Sequence, residues 1–193
     1  FIAGSIPAQF DTYKEDTRSN KIIYDSFTKQ ISCIVEFVDF IYLDVISSGR
    51  EIAIATEIIE KFNKPILVGI HLSKNGNLPS GEKIEEVINK YKSSSWVGIV
   101  SSCVSMEIAE ASINELKIHN LPFGYKVNLW GNEEPQPIRK INIAKFNENA
   151  VNLNTIMGKR VIEDDIYKKL GQKFVDNGAC LLYTSPSPRD FTE

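Results

Sequence analysis

The chain has 193 residues, 42% hydrophobic and 24% charged, a balance that suits one soluble globular domain with its own core. Lys and Arg number 22 against 25 Asp and Glu, a net charge of −3 with no long basic run, which argues against nucleic acid or an acidic membrane as partner. The longest apolar runs, such as FVDFIYLDVI, are interrupted by acids and fall short of the about 18–20 residues that a membrane span needs.

FIAGSI at the start reads as a strand at full stride, with neither an initiator Met nor a signal-peptide pattern ahead of it. The chain is therefore expected to begin inside a larger protein. Tyr24, Phe27, Ile31 and Ile34 recur at helical spacing and predict a helix over 20–37, with Cys33 as small apolar filler. DFIYLDVI (39–46) is the next strand, and Ile52, Ala55, Ile59 and Phe62 mark the helix behind it. Pro65 opens the strand ILVGIHL. Ser80 is placed as N-cap of EKIEEVINKY, whose Ile84, Val87, Ile88 and Tyr91 form one apolar face.

WVGIV is the fourth strand, and Ala109, Ile113 and Leu116 repeat along the helix after it, so Cys103 falls at a strand-to-helix junction. LPFGYKVNLW supplies a fifth strand. Tyr167, Leu170 and Phe174 give the last helix, which stops at Asn177-Gly178. Cys33, Cys103 and Cys180 suggest no disulfide framework, so a cytoplasmic location is expected.

Strands that alternate with helices at the spacing of one βα unit, each nearly continuous in apolar residues, indicate an α/β protein with a parallel sheet buried on both faces. No Gly-x-Gly-x-x-Gly follows any strand, which favours a (β/α)8 TIM barrel over a dinucleotide-binding doubly wound sheet. A complete barrel takes about 250 residues, so an incomplete one with about five to six βα units is expected.

Two stretches stand outside this rhythm. Residues 129–162 carry no clear period and many Asn and Pro; they read equally as a surface excursion with a short strand near Ile141–Ile143 or as a substrate-covering lid. The end, CLLYTSPSPRDFTE, breaks the pattern. LLYT can extend a strand, but SPSPRD suits neither a helix nor a central sheet position, and CLLYTSPSPRD resembles the in-frame translation of a sequencing adaptor. Residues 1–179 are thus taken as the barrel domain and 180–193 as a non-native tail.

At the carboxyl ends of barrel strands, Asp44 (IYLD), Cys103 (VGIVSSC) and Asn128 (YKVN) could converge on one catalytic face, or could merely cap the helices behind them. His71 at the end of ILVGIHL reads as a hydrogen-bonded structural residue, and His119 as a favourable partner for the negative pole of its helix. Trp96 and Trp130 read as packing residues, with Trp130 the better candidate for touching substrate. The charges of EEVINKYK form a solvated face.

FIAGSIPAQF, IYLDVISSGREIAIATEII, VGIHLSKNGNLPSGEKIEEVI and VGIVSSC, in this order and at these intervals, resemble the homocysteine S-methyltransferase family over nearly all of residues 1–179. The resemblance implies a zinc-dependent barrel enzyme. It would move a methyl group from a sulfonium or quaternary-ammonium donor to the thiol of homocysteine, giving methionine. A free thiol is mostly protonated at neutral pH, whereas a zinc-bound thiol is deprotonated, and three protein thiolates leave the fourth position for the substrate sulfur.

By this resemblance Cys103 is one zinc ligand, with Ser102 where the family has Asn. The other two belong to a Gly-Gly-Cys-Cys phrase; here the chain reads NGA at 177–179 and then enters the suspected tail. The fragment is accordingly expected to be inactive. Asp44, where the family usually has Glu, would receive the substrate ammonium. Gly4 and Ser5 match an AGS phrase at the substrate site, and Asn128 matches a strand-end Asn lining it. The alternative is a non-catalytic amino-acid- or thiol-binding barrel relative without the zinc site, suggested by Ser102 and Asp44. An unrelated barrel with a nucleophilic Cys103 lacks a nearby basic partner in sequence.

Overall fold

Each expected apolar run forms a strand in the computed structural model, which describes residues 1–128 and 164–184. The strands are β1 (Ala3–Pro7), β2 (Phe40–Ile46), β3 (Ile66–Ile70), β4 (Trp96–Val104), β5 (Phe123–Val127) and β6 (Leu181–Thr184). Between them run α1 (Asn20–Ile34), α2 (Gly49–Glu60), α3 (Ile84–Tyr91), α4 (Met106–Lys117) and α5 (Asp164–Asp176). The expectations for 129–162, including the strand near Ile141–Ile143, the lid and Trp130, lie outside the described residues, as does the tail beyond 184. β6 falls on LLYT and pairs in parallel with β5.

The six strands lie side by side in chain order, every neighbouring pair parallel. A doubly wound sheet would reverse its strand order at a switch point. An order that never reverses keeps the helices on one face and curls the other inward, as in a barrel. The outward face carries the core: Ile6, Ile41, Leu43, Val68, Ile99 and Phe123 pack against Phe27, Ile52, Ile59, Ile113 and Phe174 of the helices.

Burial on both faces was expected of every strand, and β1 departs from it. Gly4 and Ile6 are buried while Ala3, Ser5 and Pro7 are exposed, because the inward face borders a cavity of about 440 Å3 rather than packed side chains. Cys33 also departs from expectation. It is exposed, its thiol turned back to the Lys29 carbonyl at 3.2 Å. The buried stripe of α1 is Ile23, Phe27 and Ile31, and a residue two places past Ile31 lies on the opposite side of the helix.

Helix starts explain how polar residues reach the strand ends. Ser19, Ser48 and Ser105 each accept a backbone N–H from the first turn of α1, α2 and α4. Ser48 and Ser105 cap within two residues of the ends of β2 and β4, so the connections carrying Asp44 and Cys103 are tight. α3 is the exception. Gly81, with φ +92, turns the chain before the helix, Ser80 donates to Glu82 at 2.8 Å, and the N-cap is Lys83, whose N–H is taken by the Glu86 carboxylate at 2.8 Å. No helix among the described residues is long and apolar enough to cross a membrane.

Candidate functional site

Two bulges shape the carboxyl ends of the central strands. The β2–β3 register shifts between Leu43 and Ile46, and the β4–β5 register shifts between Ser102 and Val104. Each bulge holds a non-glycine residue in the left-handed region, Val45 at φ 61 and Cys103 at φ 52. For a β-branched valine this conformation is a genuine outlier, and strain of this kind concentrates where side chains must be aimed.

Asp44 is the hub. Its Oδ2 accepts from Lys126 Nζ at 2.7 Å and from Ser5 Oγ at 3.4 Å, and its Oδ1 accepts from Ser102 Oγ at 3.0 Å. Ser102 has a single hydroxyl proton, which the carboxylate takes, so the Tyr42 phenol, 2.6 Å from Ser102 Oγ, must be the donor there. A one-way chain of protons thus runs from Tyr42 through Ser102 to Asp44. Burial first, then the Asp44 charge, raises the Tyr42 pKa far above the ordinary phenol range, which keeps that proton in place.

Tyr13 completes the upper side from the connection between β1 and α1. Its phenol is raised by burial first, then by the charge of Cys103, a hydrogen bond with the Cys103 side chain, and the charge of Asp44. The ring also lies 4.7 Å from that of His71. His71 is buried, and its Nδ1 sits 3.2 Å from the Ser102 carbonyl, which can only accept. Nδ1 therefore carries a proton. This is the hydrogen-bonded structural role that the sequence favoured.

The expected site residues are partly gathered. Asp44 and Ser5 border the 440 Å3 cavity together with Tyr42, Val100 and Lys126. Cys103 is half-buried beside Tyr13 at the mouth and does not line that cavity. Asn128 is buried and acts on backbone: its Nδ2 donates to the Cys103 carbonyl at 3.0 Å and its N–H to Val104 at 2.9 Å. Gly4 is turned the other way. A Cβ there would stand 2.8 Å from Ile34 and 3.1 Å from Ile41, so the pair is split and only Ser5 faces the cavity.

Trp96 packs, with Nε1 donating to Thr56 at 3.1 Å. His119 follows α4, and its carbonyl accepts from Lys92 at 3.5 Å.

Sequence reasoning missed Lys126, Tyr42 and Tyr13. For Lys126 a signal existed: a lysine inside an apolar parallel strand must find an acid, and the inward face is where one is available. Tyr13 carried none, since its position depends on the path of a loop.

Cys103 is the expected zinc ligand. Among the described residues no group of three His, Cys, Asp or Glu side chains is placed to hold a metal ion. They do not by themselves fit the zinc that the resemblance implies.

A parallel sheet in barrel order defines a βα-barrel protein, with a cluster of charged and hydroxyl groups gathered toward the carboxyl ends of β2, β4 and β5 as its candidate site. Solved structures agree on the fold. The homocysteine methyltransferase MmuM of Escherichia coli matches in its apo form with a TM-score of 0.66 at 15% identity, over 97% of this chain and 59% of that one. Its metallated form matches at 0.62 and 12% identity, and its oxidized form at 0.64 and 13%, each over 92% of this chain and 52% of that one. This chain thus spans between one half and three fifths of those proteins. No individually curated protein sequence matches significantly.

The sequence model of the homocysteine S-methyltransferase family matches residues 1–182, and the chain belongs to that family.

Proposed function

We propose that the site receives homocysteine and that the protein of which these residues form the barrel wall transfers a methyl group to its sulfur from a sulfonium or quaternary-ammonium donor. The observation that carries this reading is Asp44, held by Ser5, Ser102 and Lys126 at the end of β2, with Cys103 nearby at the end of β4. Asp44 is the natural acceptor for the substrate ammonium. The apolar wall of the cavity, with Phe40, Leu67 and Val100, suits a short aliphatic side chain.

In the reaction, the homocysteine thiol releases its proton to solvent, and the resulting thiolate forms a new S–C bond to the methyl carbon while the bond from that carbon to the donor breaks. The electron pair leaves with the donor, which departs as a neutral thioether or tertiary amine. A neutral leaving group needs no general acid, in keeping with Tyr13 and Tyr42, whose phenols hold their protons. The side chains bind and orient, and alignment of this kind is worth about 7–11 kcal/mol in favourable cases. Among the described residues Cys103 places one half-buried sulfur beside Tyr13.

The test is methionine formation, followed by mass spectrometry, from L-homocysteine with S-methylmethionine or glycine betaine. Product that disappears in Asp44→Ala supports the reading; no product from either donor overturns methyl transfer. Ser102 and Asp44, standing where the family has Asn and Glu, favour a second reading, a binding relative without catalysis. Calorimetric binding of homocysteine without turnover would select it.

A further inference from the structure

Resting on the reading that the site takes homocysteine, we propose that Lys126 is a specificity residue: with Asp44 it forms a two-pole receptor for the zwitterionic head of an α-amino acid, Asp44 taking the ammonium and Lys126 the carboxylate. The ion pair lines the cavity, its Asp44 and Lys126 side chains 15% and 14% exposed. Lys126 reaches it from β5, past the width of β3 and β4, and its ammonium lies 5.7 Å from the Tyr42 ring centre.

Stability alone does not explain such a pair. Desolvating two charges costs about what their attraction returns, and an apolar pair in place of a buried ion pair is often at least as stable. Charge kept at a cavity wall points to a charged visitor.

The geometry also selects the visitor. A simple amine would have to place its cation on Asp44 beside the ammonium of Lys126, at a cost in like-charge repulsion. A simple carboxylate would have to draw Lys126 away from Asp44 and leave that acid without its counter-ion. A zwitterion satisfies both poles at once, because its ammonium meets Asp44 while its own carboxylate meets Lys126. Charges then alternate in sign across the site, and neither protein group is left unpaired.

Lys126 is suited to the exchange. Its ammonium has three donors on a flexible stem, and among the described residues one hydrogen bond, to Asp44, is made. Ser5 and Ser102 also donate to Asp44, at 3.4 and 3.0 Å, so Lys126 is not its sole support.

Calorimetry on the full chain tests this with three thiols: L-homocysteine, 3-aminopropane-1-thiol, which lacks the carboxylate, and 4-sulfanylbutanoic acid, which lacks the amine. The wild type is expected to bind homocysteine at least about tenfold more tightly than either fragment. Lys126→Met is expected to weaken homocysteine by about tenfold or more, leave 3-aminopropane-1-thiol unchanged or tighter, and be rescued by Lys126→Arg. Thermal melts of each variant separate these effects from loss of fold, and Lys126→Gln provides a polar neutral substitute should the methionine variant melt early.

Equal weakening of homocysteine and the amine by Lys126→Met would mean that Lys126 only positions Asp44, and unchanged binding of both would mean that it does nothing; either result overturns the proposal. Turnover with unaltered selectivity in the variant would sink the Lys126 assignment and leave methyl transfer standing. Carboxylate-dependent binding without methionine formation would do the reverse. A wild type that binds none of the three overturns both.

Discussion

The phenol ring of Tyr42 lies across Gly69. A Cβ built at Gly69 would stand 2.7 Å from the Tyr42 ring, 2.8 Å from its hydroxyl and 2.7 Å from the Leu43 carbonyl oxygen. Tyr42 is on β2 and Ser102 on β4, so the hydrogen bond between them has to pass over β3, and the missing side chain at Gly69 is what lets it.

Gly69→Ala is therefore expected to push Tyr42 off Ser102, destabilise the protein by about 1–3 kcal/mol and weaken the proposed homocysteine binding. Tyr42→Phe keeps the ring and removes only the donor, and is expected to cost about 1 kcal/mol. Urea denaturation of the two variants checks the order. A Gly69→Ala protein as stable as wild type would show that the strands have room to spread.

Cys103 sits in a backbone conformation that costs an L-residue roughly 1–2 kcal/mol and a glycine almost nothing. Cys103→Gly and Cys103→Ala both remove the thiol, but only the alanine keeps the strain. The glycine variant is expected to be the more stable by about 1 kcal/mol, and both are expected to lose whatever the thiol does in the methyl transfer proposed above. Differential scanning calorimetry decides, and equal melting temperatures would show that the bulge relaxes.

The same bulges mark where the sequence was legible and where it was not. Ile41, Leu43, Val68 and Ile99 announce their strands by composition, and Ser48 and Ser105 are local caps, so the βα order and the positions of Asp44 and Cys103 at strand ends could be read directly. A register shift between β4 and β5 is a property of two strands that meet only after folding, and nothing in SSC reports that Cys103 will take a positive φ.

Inward and outward faces posed a related difficulty. Gly4 and Ser5 are adjacent in sequence and were grouped by resemblance, yet strand alternation sends one to α1 and the other to the cavity. Lys126 was visible as an oddity in an apolar strand, but its partner is 82 residues away. Cys33 was assigned by composition, where its angle from Ile31 on the helix would have placed it outside.

Glu51 gives the pH dependence its direction. It is buried at the start of α2, with Oε2 accepting from Ser48 Oγ at 2.6 Å and from the Asp16 N–H at 3.4 Å, while Oε1 finds no partner among the described residues. Burial above all, then the charges of Asp16 and Glu15, pushes its pKa up to about 7 against the Ser48 and Asp16 hydrogen bonds. The folded protein thus keeps a proton that the unfolded chain has already lost. Stability from this group is full below the ordinary glutamate value of about 4.5 and falls as pH rises to about 7. A shift of that size is worth on the order of 3 kcal/mol.

Asp16 works in the opposite sense. Burial would raise it, but the Arg18 hydrogen bonds and the charges of Arg18 and Arg50 outweigh that and lower its pKa, so its contribution is lost only as the solution becomes strongly acidic. Between them the two carboxyls place the stability maximum in mildly acidic solution. Melting temperatures from pH 5 to pH 8 are expected to fall for the wild type and to stay level for Glu51→Gln, which carries no ionisable proton. A wild-type curve that is flat across this range would show that Glu51 enters the folded state already ionised.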